Sequence, residues 1–157
     1  MKKVLSLLTC LLLCLLLCSC SSAPEEKYES SCSLKIECSS VLDNTDKLNK
    51  DKLGVIPENG IVINIESVGF NDGETVYDVL QRVCRENKIH LDASITPAFN
   101  TAYVKGINNL YEFDCGEFSG WIYSVNGDYP NFGCSDYKLS QGDEILFSYT
   151  CEFSNEF

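Results

Sequence analysis

Histidine is nearly absent from this chain: among 157 residues there is one, His90, and there is no C-x-x-C pair. That combination excludes the usual zinc sites, which draw on paired cysteines or several histidines. It also leaves Cys84 and His90 a poor nucleophile–base pair, because no acid is placed to orient the imidazole and nothing depresses the thiol pKa. Basic residues are scarce as well, 12 against 23 acidic ones, for a formal charge of −11. A surface so short of cations disfavours nucleic acid and anionic lipid as partners. The acids are numerous but none has the spacing of a catalytic pair, so we expect no enzyme and no cofactor. Asp43, Asn44 and Asp46 lack the glycine and closing glutamate of a calcium loop, so we expect no metal either. No apolar run is long enough to span a bilayer: Val4 to Cys18 covers about 15 residues, where a helix needs roughly 20.

That run has another use. Behind Lys2 and Lys3 it has the form of an export signal. It ends in Leu17-Cys18-Ser19-Cys20, which resembles a bacterial lipobox with Cys20 as the lipidated residue. The expected organisation is a signal peptide over 1–19, a flexible tether over 20–31 (polar and acidic) and one domain over 32–157. Removing residues 1–19 takes away two lysines and no acid, which leaves a charge of −13. Acyl chains rather than basic residues would then hold the protein to the bilayer. The expected location is the extracytoplasmic face of a bacterial membrane.

Ten cysteines are present. With Cys10, Cys14 and Cys18 in the signal and Cys20 lipidated, six remain: Cys32, Cys38, Cys84, Cys115, Cys134 and Cys151. An even number in an exported domain predicts three disulfides. Residues 32–38 alternate as a strand, which sets their terminal cysteines ~20 Å apart, so these two should not pair. Cys115 and Cys134 bracket a hairpin-like stretch and are expected to bridge. Pairing among Cys32, Cys38, Cys84 and Cys151 stays open.

Along the domain, Ile61 to Val68 alternates as a strand, after a polar loop over 41–60. Thr75 is a helix start with Asp78 three residues on, and Val76, Val79, Leu80, Val83 and Cys84 form one apolar stripe. Asn87 should end the helix. A short strand over Ile89–Leu91, a loop over 92–101, and strands over Ala102–Ile107, Trp121–Val125 and Ile145–Cys151 follow. Asn126-Gly127 signals a tight turn, and Pro130 keeps Tyr129–Gly133 out of a central strand. The prediction is α+β, one main helix packed across a mixed sheet.

The stretches GETVYDVLQRVCRENKI, AYVKGINNL, SGWIYSVNG and YKLSQGDEILFSY together resemble the transcobalamin-like C-terminal domain, a domain of uncharacterised function in bacterial surface proteins. The resemblance covers about residues 60–152. It implies a β-grasp-like fold whose first and last strands lie side by side. Cys38 and Cys151 would then face each other, or Cys84 would reach one of them. In the related transport proteins this domain closes over a corrinoid held against a large helical domain. Only the ligand-facing piece has a counterpart here, Tyr103–Asn109 and Gly120–Tyr123.

The aromatic density of residues 116–134 is the remaining feature. Trp121 and Tyr123 share one face of a strand, opposite Ile122 and Ser124, and core packing accounts for them better than exposure. Tyr129 and Phe132 sit on a Pro/Asn/Gly loop of the kind that carries recognition surfaces. The candidate ligand-binding set is Tyr103, Trp121, Tyr123, Asn126, Tyr129 and Phe132. Two functions follow: a membrane-anchored binding module for a small molecule of corrinoid type, passing it to a transporter, or a surface adhesion module that binds another protein.

Overall fold

The computed structural model describes residues 28–96 and 101–153. The expected signal segment, Cys20 and most of the tether lie outside these residues, and so does the residue 97–100 part of the expected loop.

Seven strands and one α-helix are present among the described residues, with two short 3-10 helices. β1 (Ser30–Glu37), β2 (Ile61–Phe70), β6 (Gly120–Val125) and β7 (Glu144–Thr150) form one sheet in the order β2-β1-β7-β6. β1 and β7, the first and last strands, run parallel side by side; β2 and β6 flank them antiparallel. β3 (Leu91–Thr96), β4 (Thr101–Ile107) and β5 (Leu110–Tyr111) make a second, antiparallel sheet. The α+β class with one main helix is therefore observed, but the expected single sheet is two. The reason lies in β4, which pairs with β3 and β5, while β6 pairs only with β7 among the named strands.

The helix α1 (Val76–Glu86) forms where the sequence pattern placed it. Thr75 accepts from the Asp78 amide, and the Asp78 carboxylate accepts from the Thr75 amide, so two otherwise orphaned donors are satisfied at once. All five stripe residues are buried. They pack on Leu34, Ile36, Ile145 and Phe147 of the central strands. Beyond this core the same sheet face continues into a second cluster: Cys38 follows β1, Tyr149 and Cys151 come from the end of β7, and Val41, Leu48, Leu110 and Cys115 cover them. The 3-10 segment Ser39–Val41 leads into the loop over 41–60, which holds a second one, Lys50–Val55. β3 extends through Thr96, into what local pattern marks as loop, because its partner Thr101–Ile107 completes a ladder that the segment alone does not reveal.

The expected Cys115–Cys134 bridge is corrected, and no described cysteine is bridged in this structure. All six described cysteines are buried thiols. Cys115 and Cys134 belong to different clusters, Cys115 to the second and Cys134 to the helix-covered core. Between them β6 runs straight for six residues, about 20 Å at ~3.3 Å per residue, and pairs with β7 instead of folding back. The Asn126-Gly127 turn is present, with both residues at positive φ. No return strand follows it; Val125 meets Asp128 as an isolated bridge and the chain leaves toward Pro130. Cys32, Cys38, Cys84 and Cys151 carry no bridge either.

Candidate functional site

Cross-strand pairing decides which way the aromatic strand faces. Trp121 stands opposite Tyr149, Tyr123 opposite Phe147 and Val125 opposite Ile145. The Trp121 and Tyr149 rings meet edge-to-face at 5.3 Å, and Tyr123 stacks on Phe147 at 5.8 Å. The pair therefore lies on the core side, as its alternation with Ile122 suggests, and Phe147 and Tyr149 behind it are fully buried. Both aromatics remain half-buried because the sheet ends at β6, where β4 approaches without pairing.

Between β4 and β6 a cleft of about 160 Å³ opens, lined by Ala102, Tyr103, Val104, Trp121, Tyr123 and Cys134, with Phe147 beneath. A larger one of about 480 Å³ adjoins it and shares Gly133, with Thr101, Pro130, Phe132 and Asp136 around it. The walls are fixed by hydrogen bonds. The Trp121 indole donates to the Leu110 carbonyl at 2.9 Å, and the Tyr123 hydroxyl donates to the Phe132 carbonyl at 2.7 Å. The Tyr103 hydroxyl donates to the Glu112 carboxylate. The Pro130 loop, which the sequence reading tied down by a disulfide, is held by other means. Ser135 Oγ accepts from the Ala102 amide at 2.9 Å, and the Cys134 carbonyl accepts from the Tyr77 amide at the helix start. Gly133 is required at this seam, since a Cβ there would lie 1.7 Å from Thr101 Oγ1.

Of the expected ligand residues, Tyr103, Trp121 and Tyr123 come together in one cleft and Phe132 lines its neighbour. Phe132 is 47% exposed and stacks on Tyr137. Tyr129 is exposed on the same loop but lines neither cleft. Asn126 is committed elsewhere: its amide donates to Asp143 Oδ1 and its carbonyl oxygen accepts from the Glu144 amide, which pins the turn to the start of β7. Val104 falls in the ligand-facing stretch that the resemblance implies, whereas Thr101, Ala102, Gly133 and Asp136 were not among the expected site residues. Gly133 carried the one available signal, a glycine directly before a cysteine in an aromatic loop.

The two phenols and the thiol of the site are held neutral. Burial, with the Glu112 hydrogen bond second, raises the Tyr103 phenol to about 12. Burial likewise raises the Tyr123 phenol, and it raises the Cys134 thiol to about 12. A thiol so protonated is no nucleophile at neutral pH. What the cleft offers is aromatic and aliphatic contact area with acidic carboxylates at its rim, Glu112 and Asp136. Among the described residues, no group of three or more His, Cys, Asp or Glu side chains is arranged to hold a metal ion.

No curated protein matches the chain. Solved structures do. Haptocorrin, in a crystal structure "in Complex with Cbi", is similar at a TM-score of 0.54 and 15% identity over 84% of this chain. The match takes in 28% of haptocorrin, so this chain corresponds to a minor part of that protein. A protein from Ruminococcus gnavus ATCC 29149, described as a candidate metal-binding protein, matches at a TM-score of 0.45 and 11% identity, over 78% of this chain and 97% of its own. The likeness to haptocorrin establishes a shared fold. The profile of the family described as "Domain of unknown function (DUF4430)" matches residues 73–151, half of the chain, and the chain belongs to that family.

Proposed function

We propose that this protein is a non-catalytic binding module, displayed outside the cell on a lipid anchor at Cys20, whose β4–β6 cleft receives a small molecule of corrinoid type. The β-grasp-like pairing of first and last strands supports this, and so does the fold shared with haptocorrin, whose structure holds Cbi. The observation that carries it is the cleft itself. Tyr103, Trp121 and Tyr123 converge there beside the Phe132 pocket, each held by a hydrogen bond or ring contact before any ligand arrives. Rigid aromatics give large contact area at little entropic cost, which suits a flat, mostly apolar ligand edge. The site is shallow and open on one side, so a partner such as a transporter subunit would complete it and take the ligand on.

Trp121 lines the cleft, so tryptophan fluorescence reports occupancy. Titration with a corrinoid should quench it saturably. Phe132→Ala should weaken binding several-fold with little change in melting temperature, and Tyr129→Ala less so. An unchanged signal across corrinoids at millimolar concentration would remove the small-ligand reading.

One observation favours a second reading, a protein-binding surface. Phe113, Phe118 and Phe153 are 60%, 63% and 46% exposed. They are drawn together by the hydrogen bonds of Phe113 to Ser119 and Phe153 to Phe118, with the Phe153 ring over Gly120. Loss of partner capture in Phe118→Ser, with corrinoid quenching absent from the wild type, would leave that reading in place.

A further inference from the structure

Cys115 and Cys151 meet in the second core cluster, away from the cleft, with their sulphurs 3.1 Å apart. Cys115 is 0% and Cys151 5% exposed. Cys115 follows the β5 turn, and its thiol also points at the Asn44 carbonyl at 3.4 Å. Cys151 closes β7, with Ser40 Oγ 3.6 Å from its sulphur. Bonded sulphurs stand ~2.05 Å apart, so about 1 Å of movement separates this contact from a bond.

We propose that Cys115 and Cys151 are a disulfide pair, joined while the chain folds by a disulfide-bearing thiol oxidant. In the balanced step, the Cys115 thiol gives its proton to water and the thiolate attacks the oxidant's S–S bond, expelling one thiolate. The Cys151 thiolate then attacks the Cys115 sulphur and expels the second. Two protein S–H bonds and one oxidant S–S bond are lost, one protein S–S bond and two oxidant thiols are gained, and two electrons pass to the oxidant. Timing follows from burial, which with the neighbouring Cys151 pushes the folded Cys115 thiol up to about 12. Such a thiol is almost never a thiolate at neutral pH, so the folded, reduced domain resists oxidation and the bond belongs to the open chain.

The bond has a structural consequence. It ties the segment between β5 and β6 to the end of the central strand β7. That segment follows directly on β5, whose Leu110 carbonyl receives the Trp121 indole, and includes the Glu112 carboxylate that receives Tyr103. The proposal stands whether or not the cleft binds a corrinoid.

The test uses the full chain in detergent, denatured, reduced and refolded in mixed oxidised and reduced glutathione. Free thiols are then alkylated and the peptides mapped by mass. The expected product is one linked peptide pair, Cys115 with Cys151, while Cys32, Cys38, Cys84 and Cys134 carry the alkylating label. The oxidised form should melt roughly 10 °C above the reduced form, and C115S should abolish that difference. Oxidised glutathione added to the folded, reduced chain should produce no link over the same period. Label on both Cys115 and Cys151 after refolding, or a link from either to Cys38 or Cys134, overturns the proposal even if C115S fails to fold. Rapid linking of the already folded chain overturns the folding-stage assignment.

Discussion

The Tyr123 hydroxyl reaches the Phe132 carbonyl at 2.7 Å, and this contact joins the aromatic strand to the Pro130 loop across the mouth of the cleft. Residues nine apart in sequence, one on the edge of a four-stranded sheet and one on an irregular loop, thereby fix the loop against the strand that walls the cleft. Tyr123→Phe keeps the stacking on Phe147 and removes this bond. It should cost about 1 kcal/mol in urea unfolding, the usual net worth of one hydrogen bond. Corrinoid quenching of Trp121 should weaken by more than that small loss of stability accounts for.

Gly133→Ala tests the seam between loop and strand. The new methyl would meet Thr101 Oγ1 at 1.7 Å and Thr101 Cβ at 2.8 Å. Strand and loop must part, at ~1–3 kcal/mol for an overpacked contact. Thermal melts should show that loss. Adding Thr101→Ala should restore only part of it, because the Cβ of residue 101 remains too close.

Thr75→Ala removes the hydroxyl that caps the Asp78 amide. The expected loss is ~1 kcal/mol, measured by chemical denaturation. Thr75→Ser, which keeps the hydroxyl, should stay near wild type. An equal loss in both variants would show that the methyl packing of Thr75, not its cap, matters.

Alkaline pH should destabilise the reduced domain. Burial raises the Cys84 thiol from 9.0 to about 11 and the Tyr149 phenol from 10.0 to about 12. In both cases the neutral form is the one the fold favours, so the unfolded chain gives up its proton first. The stability these groups contribute is fully present below pH 9 and is lost as pH climbs through 9–12. Melting temperatures taken from pH 8 to 11 should fall. Tyr149→Phe should flatten the upper part of that fall, although losing the bonds to Tyr111 and Ser119 lowers stability throughout.

Much of the scaffold is legible in the sequence. The apolar stripe from Val76 to Cys84 is long and periodic, and Thr75 with Asp78 marks its start, so local rules and the tertiary fold agree there. Strand alternation at Cys32–Cys38 and Ile145–Cys151 likewise survives because one face of each strand is wholly buried. Even the orientation of Trp121 and Tyr123 was accessible, since Ile122 alone could not supply a core face.

Where sequence reasoning stopped, the cause was contact between segments distant in the chain. Cys115 and Cys134 look like the two ends of a hairpin when only the intervening residues are considered. The pairing of β6 with β7 sends them to opposite clusters and sets Cys115 against Cys151 instead. β3 exists because Thr101–Ile107 lies opposite it, and the Pro130 loop is held by Ser135, Tyr123 and Tyr77 rather than by sulphur. The sequence by itself determined the helix, the alternating strands and the acidic, cysteine-rich character of the chain, because these rest on local periodicity and composition. Tertiary structure alone decided the division into two sheets, the partners of the cysteines and the cleft between β4 and β6. Each of these depends on which backbone groups find hydrogen-bond partners across the fold, and no local pattern encodes that choice.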